Sequence, residues 1–169
     1  MKLKGVKAFE TVLTEIASTF GVDKVIIADD CCYWDDSKTI WIKIVDDEYD
    51  KMFMEFVSER FDIDIGNSLL IGLLHEIGHY ETIDEISELV QDMSNKENDR
   101  IEEEMKNTED WNEIRRLEWQ YFNLPDEIMA TYWAVDFIKN HIQLVNIWDK
   151  RLQKAYEAFL RINNVVDED

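Results

Sequence analysis

Two of the chain's three histidines stand in His75-Glu76-Ile77-Gly78-His79, an H-E-x-x-H pattern whose spacing is itself chemical information. Residues on an α-helix advance by about 100°, so the two imidazoles lie roughly 40° apart on one face, one turn from each other, where both can grip one zinc ion. Glu76 flanks them at about 100° from His75 and about 60° from His79. From there its carboxylate can reach a water on the metal without being a ligand. The chemistry is that of an activated water: the metal brings its pKa towards neutrality and the carboxylate accepts the proton.

The surrounding helix suits such a site. Leu69, Leu70, Ile71, Leu73, Leu74 and Ile77 make it apolar nearly all round, while Ser68, Gly72, His75 and His79 share a single small, polar stripe. A catalytic zinc takes three protein ligands and keeps an open position. His141 and several carboxylates downstream are candidates for the third. Glu127 is the best placed, because Asn123-Leu124-Pro125-Asp126-Glu127 reads as a helix start, with proline and two acids in the first turn. Its face continues with Ala130, Thr131 and Ala134, at about −60°, 40° and −20° from it, small enough for a close approach to the motif helix. Asp136, about 180° away, is set aside. Tyr80, Tyr121, Tyr132 and His141 are all chemically able to donate to a developing oxyanion, and spacing does not choose among them.

His75-Glu76-Ile77-Gly78-His79 followed by Glu127-Ile128-Met129-Ala130-Thr131-Tyr132-Trp133-Ala134 resembles the gluzincin arrangement of small bacterial and phage metallopeptidases. Within that group it is most similar to the ImmA/IrrE family, whose motifs read H-E-x-G-H and then E-x-x-A-N-x-F-A. The resemblance covers about residues 1–141, in which a helix and a short sheet precede the motif helix in the same order. It implies a zincin-like α+β fold, Zn2+ held by His75, His79 and Glu127, and Glu76 as general base. The implied activity is that of a zinc metallopeptidase, a hydrolase cleaving a specific, regulatory intracellular protein. Thr131 stands where the family has Asn or Asp, so the hydrogen bond usual there must come from a hydroxyl or from another residue.

The elements that must position these residues can be read from the periodicity. Val6, Phe9, Val12, Leu13, Ile16, Ala17 and Phe20 form the apolar face of a first helix ended by Gly21. Between 24 and 45, Val25-Ile26-Ile27 and Ile40-Trp41-Ile42-Lys43-Ile44-Val45, separated by a turn at 35–38, predict two or three short antiparallel strands. The Ile40–Val45 strand offers an edge on which an extended substrate could pair. Met52, Phe53, Phe56, Val57 and Phe61 restore the helical period, and the apolar segment Ile65–Ile77 reads as a buried helix. Residues 81–110 hold twelve acids against three bases and read as a solvated helical excursion or a partly mobile insert. Met129 to Ile162 contains neither Gly nor Pro, and is one long helix or two bent near Asn140, where His141 complements a helix C-terminus.

Composition sets the class. With 169 residues, 46% of them hydrophobic, five Gly and one Pro, the chain is expected to form a single domain over 1–169, α+β but predominantly helical. The adjacent Cys31 and Cys32 do not suit a disulfide framework, and with Asp29 and Asp30 they read as a turn rather than a second metal site. No apolar run suggests a signal peptide or a membrane span, so a cytosolic, soluble protein is expected. A net charge of −20 disfavours direct binding to nucleic acid. It fits simple solubility, or steering of a basic protein partner such as a DNA-binding regulator towards the cleft. An alternative of another class follows from the same charge: an acidic binding protein, or DNA mimic, that sequesters a nucleic-acid-binding protein with the zincin fold as scaffold.

Overall fold

The computed structural model describes residues 6–28, 32–34, 37–43, 48–63 and 68–164. Helix α1 (Val6–Ala17) is followed by a 3-10 turn and Gly21. Gly21 takes the left-handed φ of 80° that stops the helix, as its position in the sequence foretold. Phe9, Leu13, Ile16 and Ala17 are buried, and Phe9 meets Phe159 with ring centroids 6.5 Å apart. The first helix thus closes on the last.

Three strands follow: β1 (Lys24–Ile27), β2 (Cys32–Trp34) and β3 (Thr39–Ile42). Their order across the sheet is β1-β3-β2, with β2 antiparallel to β3 but β1 parallel to it. The expected antiparallel sheet is therefore corrected. Chain direction alternates from strand to strand, and β3 inserts between the other two, which sets the first and third strands side by side pointing the same way. A second correction follows from the same insertion. β3 is paired on both sides, so the strand expected to offer a free edge is the central one. The outer side of β1 is also occupied: Glu10 Oε1 accepts from the Ile27 amide at 2.9 Å, and Thr14 Oγ1 from the Val25 amide at 3.0 Å. Helix α1 supplies the partners a fourth strand would have given.

Helix α2 (Glu48–Phe61) buries Met52, Phe56 and Val57. Helix α3 (Ser68–Thr82), which carries the H-E-x-x-H motif, is the central element, with Leu70, Ile71, Leu73, Leu74 and Ile77 at 0–2% exposure. Each such side chain contributes about 1.5–3 kcal/mol on burial, which offsets the cost of carrying polar groups inside. The acidic stretch is ordered: a 3-10 turn at Ile83–Glu85 leads to helix α4 (Glu88–Lys106), capped by Ser87, whose hydroxyl accepts from the Val90 amide. It is a helical excursion that docks. Ile101 of α4 is fully buried beside Leu117 of α5 (Trp111–Phe122) and Leu124.

The long Gly- and Pro-free stretch is two helices, α6 (Pro125–Asn140) and α7 (Ile142–Asn164), separated at the C-cap His141. His141 is exposed and stacks on Phe137 with centroids 4.4 Å apart. Among the described residues no helix is long and apolar enough to cross a membrane. Asp29, Asp30 and Cys31 lie outside the described residues, as do Ile44 and Val45.

Candidate metal centre

The centre is made where α3 crosses α6, and one glycine permits the crossing. A Cβ at Gly78 would lie 2.4 Å from the Ala130 carbonyl oxygen and 2.9 Å from its Cα, so the two backbones touch there. Ala130 and Ala134 are fully buried opposite, as their spacing predicts. Gly72, placed by the sequence on the same stripe as the histidines, has nothing within 4 Å of a Cβ and plays no part in the approach.

With the backbones this close, His75 and His79 of α3 converge with Glu127 from the first turn of α6. His75 Nε2 and Glu127 Oε2 are 3.1 Å apart, His79 Nε2 and His75 Nε2 3.2 Å, and His79 Nε2 and Glu127 Oε2 3.5 Å. Ligands at about 2.0–2.1 Å around a tetrahedral zinc stand about 3.3 Å from one another. The triangle has the dimensions of such a ligand face. Among the described residues, these three form a His-His-Glu group that could hold a metal ion.

Hydrogen bonding supports the same orientation. The Thr131 hydroxyl, 1% exposed, donates to the Glu127 carbonyl at 2.9 Å, so it must accept from His75 Nδ1, 3.0 Å away. That selects the Nδ1–H tautomer of the neutral ring and leaves the Nε2 lone pair facing the triangle. The Thr131 hydroxyl thus supplies the hydrogen bond to the outer nitrogen of His75. Phe53 of α2 meets the His75 ring edge-on at 5.1 Å, a contact whose only trace in the sequence is the helical period of α2.

Without a metal the positive charge must come from protons. Burial alone would lower the His79 pKa, but the Glu127 carboxylate more than offsets this and holds it up at about 9. Burial would raise Glu127, and the two imidazoles against its carboxylate, His79 as the proton donor, overcome that and keep its carboxyl well below the usual range. Glu76 is 8% exposed, and burial raises its pKa against the opposing pull of the two histidines. The carboxylate beside the triangle is therefore more basic than an ordinary glutamate.

No protein-family model, curated protein or solved structure matches the chain.

The four candidate oxyanion donors lie in different surroundings. The Tyr80 ring is directed at Gly21, Tyr132 is half exposed and packs on Phe61, and His141 caps the far end of α6. Tyr121, from α5, faces the carboxylates: burial, then Glu127, Glu76 and Asp126, hold its phenol protonated well above the ordinary range. Asp136 is exposed and accepts from Asn140, in keeping with its having been set aside. By sequence alone Asp126 is a helix-start acid. In the structure it accepts from the Ser94 hydroxyl and, at 3.3 Å, from the Gln91 amide, both on α4.

Proposed function

We propose that the chain is a zinc-dependent peptide hydrolase of the gluzincin arrangement, resembling the ImmA/IrrE type, with His75, His79 and Glu127 as ligands and Glu76 as general base. The observation that carries the reading is the triangle of donor atoms with 3.1, 3.2 and 3.5 Å edges, closed by a histidine whose tautomer is set by Thr131. Zinc, when bound, supplies Lewis-acid polarisation at the reacting carbonyl and acidifies a water. The rest is done by side chains of this chain. Glu76, with its raised proton affinity, takes a proton from the attacking water and delivers it to the leaving amine as the C–N bond breaks. The Tyr121 phenol, kept protonated, is the donor towards the oxygen on which negative charge develops. One water is consumed, and a carboxylate and an amine leave.

The net charge of −20 favours a basic protein as substrate, of which a DNA-binding regulator is the chemical type. The test is elemental analysis of protein purified without added metal or a histidine tag, together with His75→Ala and Glu127→Ala. About one zinc per chain in the wild type, lost from both variants, is the expected result. A wild type that neither contains zinc nor takes it up overturns the reading. Glu76→Gln then separates catalysis from scaffolding: it should keep zinc and fold while losing about 10²–10⁴-fold in cleavage of a basic protein substrate.

A further inference from the structure

We infer that α4, the acidic helix between the two motif helices, is a positioning element of the metal centre: Ser94 and Gln91 hold Asp126 and so set the first turn of α6 from which Glu127 reaches the histidines. The inference rests on the metal reading above. The start of α6 needs such help. Its N-cap is Leu124, which makes no side-chain capping bond, so beyond the fixed φ of Pro125 no side chain of the N-cap residue ties down the first turn. Glu127 cannot serve as a local cap, because its carboxylate is committed to His75 and His79.

The restraint comes from α4. Ser94 is 2% exposed, a polar side chain placed inside a helix that is otherwise largely solvated, and its hydroxyl donates to Asp126 Oδ1. Gln91, one turn earlier on the same face, donates to Asp126 Oδ2 at 3.3 Å. Both carboxylate oxygens of Asp126 are thereby engaged from one side. Below them, Ile101 of α4 and Leu117 of α5 bury Leu124, with Tyr121 packed against the cluster. Asp126 and Glu127 are neighbours on the helix, about 100° apart, so holding one sets the azimuth of the other. The excursion thus couples to the ligand through a polar clasp and an apolar anchor.

The experiment measures zinc affinity by chelator competition on the full chain, and amide hydrogen exchange on the metal-free protein, in Ser94→Ala, Gln91→Glu and, as a control on the exposed side of α4, Asp92→Asn. Partners that orient a ligand indirectly are worth about 10–100-fold in metal affinity. The expected result is a loss of that size in Ser94→Ala and Gln91→Glu, no change in Asp92→Asn, and faster exchange of the Ile128 amide, which donates to Leu124 at 2.8 Å, in metal-free Ser94→Ala. A role confined to general stability would lower the unfolding midpoint and leave affinity unchanged. Equal zinc affinity in Ser94→Ala and a wild type that binds zinc overturns this inference alone, as does a loss of affinity with unchanged Ile128 exchange. A wild type that takes up no zinc overturns the metal reading and the inference with it.

Discussion

Thr131 does two jobs with one hydroxyl: it donates back to the Glu127 carbonyl and accepts from His75 Nδ1. Thr131→Val keeps the shape and removes both bonds, so zinc affinity should fall about 10–100-fold, while Thr131→Ser should retain it; chelator competition reads the difference. Equal affinity in all three proteins would show that the tautomer is set elsewhere. The same centre makes metal binding compete with protons. His79 is raised from 6.5 to about 9, so the pair it forms with Glu127 stabilises the metal-free fold fully below 6.5, and that stability is lost as pH rises through about 9. Glu127 is depressed from 4.5, so its share is present above 4.5 and lost on acidification below it. Zinc uptake between pH 6.5 and 9 should therefore release about one proton and tighten about tenfold per pH unit. Calorimetry in buffers of different ionisation enthalpy measures the release, and a pH-independent affinity across that range would refute it.

At the scale of elements, the two glycines of α3 make a matched pair. Gly78→Ala drives a methyl into the Ala130 backbone, which cannot move without separating α3 from α6. It should cost about 1–3 kcal/mol by overpacking and weaken zinc binding as the triangle opens. Gly72→Ala meets nothing and removes a helix-interior glycine, so it should be neutral or stabilise by about 0.5–1 kcal/mol. Denaturant unfolding of both variants, with zinc affinity alongside, gives the comparison; a benign Gly78→Ala would mean the crossing is looser than its distances. The motif's fourth position was legible in H-E-x-G-H only as a letter. Its reason is a contact with a residue 52 positions further along the chain.

For the whole molecule, a net charge of −20 on 169 residues means self-repulsion in the folded state. Salt screens it, so the unfolding midpoint of the metal-free protein should rise between about 10 and 150 mM ionic strength, where the Debye length falls from about 30 to 8 Å. A midpoint that falls would indicate that favourable ion pairs such as Arg151–Glu15 and Arg115–Glu55 outweigh the repulsion. The acids of 81–110 now divide by position. Those on the exposed side of α4 face solvent, whereas Asp126, beyond the stretch, is engaged by α4 itself. Reversing Asp92 and Asp99 should weaken capture of a basic protein without touching the metal centre.

Helix periods, the Gly21 stop, the proline start at 125 and the small face of Ala130, Thr131 and Ala134 were all readable in the chain, because each depends on residues within a turn or two of one another. The three donor residues were readable for the same reason, two by i, i+4 spacing and the third by its place in a first turn. Strand order was not: local alternation marks a strand but says nothing of its neighbours, and so β3 lies at the centre where its sequence suggests an edge. Nor was the place of Tyr121 beside Glu127 and Glu76, the docking of α4, or the link from Ser94 to Asp126. Each of these joins side chains far apart in sequence, and only the packing of α3 against α6, with α4 and α5 alongside, brings them within hydrogen-bonding or van der Waals reach.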